Sequence, residues 1–302
     1  MSEQAVAAKA NMETIRPINV VTWKDKLAAY KKRPLSMFLL IAVTVSAVIT
    51  VGVLGALVIY ILANGIMNLS PELFAWKYTT ENVSMLPAII NTFLMTALSL
   101  LIAVPIGICS AIYLVEYAKR GNKLVSVVRI TTETLSGIPS IVYGLFGYLM
   151  FVIAFGWGLS FFGGALTLSI MVLPTIMRTT EEALLSVPDS YREGSFGLGA
   201  GKLRTVFCIV LPSAVPGILA GVILAVGRIV GETAALIYTA GTVAKVPNSL
   251  LSSGRTLAVH MYNLASEGLY MDQAYATAVI LLVLVVLINT LSGVVAKKIT
   301  KS

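Results

Sequence analysis

Charge is absent from long stretches of this chain and gathered between them. No Asp, Glu, Lys or Arg occurs in residues 34–71, 82–115, 134–177, 205–227 or 273–296. A helix needs roughly 20 mostly apolar residues to cross a bilayer. Window 134–177 is long enough for two such helices, with Gly156-Trp-Gly158 and Gly163-Gly164 marking a turn between them. The pattern therefore predicts six spans, near 35–64, 87–115, 132–156, 162–180, 208–236 and 273–296. At 1.5 Å per residue the first is about 45 Å long, so it tilts or runs past the hydrocarbon core. Pro87 opens the second span in its first turn, Pro105-Ile-Gly107 kinks it, and Pro139, Gly144 and Gly147 loosen the third. Such breaks are tolerated at membrane depth where helices pack in protein or line a cavity. The expected fold class is all-α, a polytopic membrane protein in the lipid bilayer.

Composition agrees. Of 302 residues 57% are hydrophobic and 12% charged, with a mean hydropathy of +0.89, against about 25% charged in a soluble domain. The net charge of +8 would suit nucleic acid, but the placement of the cations points elsewhere. Seven of the 22 Lys and Arg precede the first span, four lie at 119–129, four at 178–204, and three close the chain. The alternate loops hold Lys77, Lys245 and Arg255, and Arg228 lies inside a span. Positive residues mark the cytoplasmic side, so the N- and C-termini are expected to be cytoplasmic, with no nucleic acid as partner. The expected organisation is a cytoplasmic tail over 1–34 and a membrane domain over 35–302, with its largest cytoplasmic loop at 181–206 and its largest external loop at 240–272. About 34 mostly polar residues precede the first apolar run, which reads as an uncleaved span rather than a signal peptide.

Several chemistries are excluded. A phosphate-cradling loop needs G-x-x-x-x-G-K-[ST], and the nearest approach, Gly197-Leu-Gly199-Ala-Gly201-Lys202-Leu203, has Phe196 for its first Gly and Leu203 for its Ser or Thr. Cys109 and Cys208 fall inside spans, and His260, the single histidine, is placed in the external loop, exposed or packed. That set makes no disulfide framework, metal site or nucleophile–base pair, so the chain is not expected to be an enzyme or to bind a cofactor.

Two constellations remain. In loop 181–206, Ser190-x-x-Glu193 after Pro188 has the form of a capping box, predicting a helix from about Tyr191. Gly199 and Gly201 can end it in a left-handed turn, and a second helix should run from Lys202 into the fifth span. A short, mixed-charge helix between two spans suits docking to a cytosolic partner, and also suits a solvated connection. The string Glu193-Gly194-Ser195-x3-Gly199-x9-Ile209-x-Leu211-Pro212 resembles the EAA loop of ABC-importer permeases, with Gly194 and Ser195 where that family has two alanines. The resemblance implies the ABC-importer permease fold and a coupling role for Glu193, Gly194, Ser195, Gly199, Ile209, Leu211 and Pro212 against a separate ATPase subunit.

The second constellation is Gly227-Arg228-Ile-Val-Gly231-Glu232-Thr233-Ala-Ala in the fifth span. Arg228 and Glu232, four apart, would share one helix face. A charge near the bilayer centre costs roughly 2.5–3.5 kcal/mol on insertion scales, so both should face a bundle interior or a wet cavity. They can form a self-satisfied pair, or Arg228, Glu232 and Thr233 can line an anion pathway, since a guanidinium offers a planar fork of donors to phosphate oxygens.

The same segment, with Glu133-Thr-Leu-Ser-Gly-Ile-Pro-Ser-Ile-Val-Tyr-Gly-Leu-Phe146, resembles the phosphate-specific ABC permeases. The stretches Arg255-Thr-Leu-Ala-Val-His260-Met-Tyr and Gln273-Ala-Tyr-Ala-Thr-Ala278 favour the PstA type over the PstC type. Ala235 departs from the resemblance, standing where Pro is common. The resemblance implies a multi-pass subunit of the bacterial inner membrane that imports inorganic phosphate. Its implied partners are a PstC-type permease, an ATPase dimer that binds ATP and Mg, and an extracytoplasmic phosphate-binding protein. The alternatives are a permease for another oxyanion (phosphonate, sulfate or molybdate) and a stand-alone secondary transporter.

Overall fold

The structure, a computed structural model, describes residues 34–119 and 121–301. The expected N-terminal tail, through residue 33, lies outside them. The chain divides into two compact units, Met1–Tyr60 and Ile61–Ser302. Helix α1 (Pro34–Ile66) begins in the first. It is apolar throughout, and its Thr44 and Thr50 hydroxyls donate to the carbonyls of Leu40 and Ser46, 2.8 Å each. Those bonds satisfy the two threonine hydroxyls within the helix itself.

The second unit is built on α2 (Leu86–Ile112), α5 (Phe161–Leu185), α8 (Leu211–Val230) and α11 (Met271–Lys301). Helix α5 is central: 67% of its most apolar window is buried, against 33% for the α2 span and 12% for α11. It packs between α2 and α8 around Met95, Leu168, Met171, Ile176 and Ile229, and Ser169 Oγ donates to Ser99 O at 3.0 Å across the α2–α5 seam. Among the described residues five helices are long and apolar enough to span a bilayer, or six if one bent pair counts as a span.

That bent pair lies where the third span was expected, over 132–156, and the loosening read at Pro139 is a sharp bend. Helix α3 (Lys123–Ser136) meets α4 (Ser140–Gly147) at a 106° bend. Pro139 supplies no N–H and keeps the residue before it out of the helical region. Its own backbone is extended, φ −59° and ψ 142°. Tyr143, buried in α4, donates from its hydroxyl to Leu135 O at 2.7 Å and so ties the two limbs together. Because α3 starts at Lys123, much of the 119–129 stretch that gathers four cations is helical.

The expected fifth span is also broken. Short helix α7 (Lys202–Thr205) leads through a π-helical turn (Val206–Val210) into α8, which stops at Val230. After residues 231–233 the chain turns into α9 (Ala234–Thr239). The segment beyond α9 folds back on α5: Ser252 O and Leu250 O accept from Phe161 N and Phe162 N at 2.9 and 2.8 Å. Ser160, the N-cap of α5, accepts from Gly163 N. The first donors of a helix need such partners. Helix α10 (Leu257–Glu267) then packs on α11.

Candidate functional site

The two breaks face each other. Helix α9 packs on α4 so closely that a Cβ on Gly144 would stand 2.8 Å from Ala235 Cα. Arg228 sits in the last turn of α8, half-buried, where a cation is favoured by the helix dipole. It lies within electrostatic reach of Tyr143 on the opposing break. Of the two readings of Arg228 and Glu232, the self-satisfied pair is not formed: the described residues make four ion pairs, and neither side chain is in them. The physical reason is the end of α8 at Val230, which takes Glu232 off the face that carries Arg228. Glu232 is buried, and its Oε1 accepts from Ala235 N at 3.2 Å, capping α9. The bond uses an N–H that a proline at 235 would lack. Thr233 is half-buried, its hydroxyl 3.4 Å from Gly231 O. The break thus holds Arg228, Glu232 and Thr233 within six residues of chain, with the guanidinium free of a carboxylate.

The 181–206 loop carries α6 (Asp189–Gly197). The expected capping box is absent. Pro188 is the N-cap without a side-chain bond, and Ser190 lies inside the first turn, where Asp189 supplies the negative charge that the dipole favours. Gly199 takes the left-handed conformation at φ +83°, and Gly201 does not. Glu193, Gly194 and Gly199 are exposed, as are the apolar side chains of Tyr191, Phe196, Leu198 and Leu203. Ser195 is buried, and its hydroxyl meets Thr205 Oγ1 at 2.8 Å, which accounts for a polar residue in an alanine position. Ile209 and Leu211 are half-buried and Pro212 is exposed at the foot of α8.

Sequence reasoning missed the residue that fixes α6. Arg192 donates to Glu116 Oε1 from Nε at 3.1 Å and Nη2 at 2.8 Å, to Val187 O at 2.8 Å, to Leu184 O at 2.9 Å and to Asp189 Oδ1 at 3.1 Å. One guanidinium joins the C-terminal carbonyls of α5, the first turn of α6 and the π-helical end of α2 (Tyr113–Tyr117). The one available signal was a carboxylate, Glu116, closing an uncharged window.

His260 is fully buried in α10, with Tyr78 edge-on at 6.1 Å. Burial first, then the Arg255 charge, lowers its pKa to about 3. Arg255 stacks on the other side of this cluster, 4.7 Å over the Tyr78 ring. An imidazole this enclosed and this weakly basic is a poor general base.

Residues 103–301 match the family model described as binding-protein-dependent transport system inner membrane component. The chain is 36% identical over 268 residues to the probable ABC transporter permease protein YqgI of Bacillus subtilis, covering 82% of this chain and 85% of that protein. It is 41% identical over 186 residues to the phosphate transport system permease protein PstA of Pasteurella multocida, covering 60% and 64% respectively. Among solved structures it is similar to a bacterial alginate ABC transporter in complex with an alginate pentasaccharide-bound periplasmic protein, with a TM-score of 0.66 over 90% of this chain and 98% of that one. At 16% identity that likeness is one of fold.

Proposed function

We infer, because this chain belongs to the family of binding-protein-dependent transport system inner membrane components, that it is the PstA-type permease subunit of an ATP-driven inorganic phosphate importer. The observation that carries the reading is Arg228, a cation at a helix break within the membrane domain and free of any carboxylate, in a chain whose relatives include phosphate permeases. A guanidinium left with open donors can take phosphate oxygens as a fork. Glu232, one turn on, offsets its charge without occupying those donors, so that the anion is held weakly enough to leave. Thr233 adds a hydroxyl at the same level. Facing broken helices are a recurrent way to build a polar site at membrane depth.

In this reading both termini and α6 face the cytoplasm, and the 240–272 segment faces outward toward a phosphate-binding protein. A PstC-type permease completes the pathway, and an ATPase dimer binds ATP and Mg. Its groove receives α6 and the exposed Tyr191, Phe196 and Leu198, with Glu193 and Gly199 at the contact. The chain carries no nucleotide site and moves its substrate without covalent chemistry. Mild-detergent purification of the tagged chain from its native membrane, followed by mass spectrometry, tests the assembly. An ATPase subunit and a second six-span permease should come with it. The chain emerging alone, while a control complex survives the detergent, would overturn the coupling role.

A further inference from the structure

We propose that α2 is a transmission rod, joined by side chains to the coupling loop at one end and to the 240–257 segment at the other. This rests on the reading of residues 181–206 as the ATPase-coupling loop. At the first end two consecutive residues hold that loop on both sides of its turn. Glu116 takes two bonds from Arg192 of α6, and the Tyr117 ring carries the Lys202 ammonium 5.1 Å from its centroid. The Arg192–Glu116 pair is largely withdrawn from solvent, at 15% and 8% side-chain exposure. Removing one partner of such a pair leaves an unpaired buried charge.

At the other end Asn91 is fully buried, and its Nδ2 donates to Lys245 O at 2.9 Å and Arg255 O at 3.0 Å. On the next residue, Thr92 Oγ1 accepts from Leu257 N at 2.9 Å and fixes the start of α10. The 240–257 segment held there is the one that caps the first donors of α5. From residue 91 to residue 116 a helix runs about 38 Å at 1.5 Å per residue, with Pro105 withholding one backbone N–H along the way.

The π-helical turn at the Glu116 end gives the rod a joint. A π turn inserts a residue and reorients the side chains beyond it, and such turns recur at functional sites. The turn at Val206–Val210 shares a buried cluster with it, Ile112 and Leu184 packing with Val206 and Val210. Displacement of α6 therefore reaches the membrane domain by two routes: along the chain into α5 and α8, and through Arg192 and Glu116 into α2. The second route delivers it to residues 240–257. Arg192, Glu116 and Asn91 are positioning residues on that route, and none touches the substrate.

The test uses the assembled complex with Cys109 and Cys208 replaced by Ser and a reporter introduced by Ser252→Cys. An impermeant maleimide then reports access to the segment, without nucleotide and with a non-hydrolysable ATP analogue. In the otherwise unaltered chain, nucleotide should change the labelling rate at least threefold. Glu116→Gln at one end and Asn91→Leu at the other should each abolish that change in complexes still carrying the ATPase, and Glu116→Asp, which keeps the charge, should restore at least half of it. A persisting threefold response in both Glu116→Gln and Asn91→Leu would overturn the proposal, as would an unaltered chain with no nucleotide response; in either case the permease reading stands. If no ATPase assembles with the unaltered chain, the coupling reading fails and the rod with it. Arg192→Lys is the second variant should Glu116→Gln fail to assemble, since one ammonium cannot reproduce a guanidinium serving α2, α5 and α6 together.

Discussion

Arg228 ends α8 with its charge unmet by any carboxylate of the described residues, and the consequences for function rest on that one side chain. Arg228→Ala should lower phosphate uptake more than tenfold in a complex that still assembles. Arg228→Lys should fall between, keeping the charge but losing the planar fork. Wild-type uptake in both, measured on equal amounts of complex, would remove Arg228 from the pathway. His260 makes a prediction of a different kind. Its folded pKa of about 3 lies below the ordinary 6.5, so the folded form takes up a proton less readily than the unfolded one. Stability from this group is complete above about pH 6.5 and is lost as the pH falls toward 3, reaching roughly 2 kcal/mol by pH 5 at 1.36 kcal/mol per unit. Arg255 and Tyr78 face the ring, and Arg255 adds to the cost of charging it. Thermal melts at pH 7.5 and pH 5.0 should show this loss, and His260→Leu should shrink the gap between them. An unchanged gap in that variant would show that another group governs the acid sensitivity.

Among the elements, the long apolar helices were legible in the sequence because missing charge over 20 or more residues has one physical reading in a chain this hydrophobic. The breaks were legible only in part: Pro139 reads as loosening the third span, but neither its 106° bend nor the end of α8 at Val230 can be read there. Pro139 and Gly231 were visible as residues, yet whether proline kinks a helix or ends it depends on what satisfies the freed backbone. Here Tyr143 supports one break and the Glu232–Ala235 bond the other. The pairing of Arg228 with Glu232 failed for the same reason, since i and i+4 face together only while the helix continues. The helix expected near Tyr191 exists, but its cap does not: an aspartate already stood at the first turn, and Arg192 secures it from across the structure. Close approach of α4 and α9 is equally a tertiary fact. Gly144→Val would drive a side chain into the Ala235 backbone at 2.8 Å. Overpacking of this sort costs typically 1–3 kcal/mol, so the variant should melt several degrees lower and lose uptake. A variant with unchanged melting would mean that the two breaks separate easily.

Within the second unit, α5 is the centre, α2 and α8 flank it, and α6 hangs from all three through Arg192 and the chain itself. Family membership followed from the sequence because the EAA-like string and the Gly-Arg-x-x-Gly-Glu-Thr-Ala string are local. The bonds that hold the two ends of α2, Glu116 to Arg192 and Asn91 to the 240–257 segment, are not local: they bridge 76 residues at one end and more than 150 at the other. The importer account is tested most directly by uptake of radiolabelled phosphate into proteoliposomes that hold the assembled complex. Uptake should require ATP inside and the phosphate-binding protein outside, and it should persist under excess sulfate. Uptake without ATP would point to a stand-alone transporter. Sulfate uptake in place of phosphate would contradict the substrate assigned to Arg228.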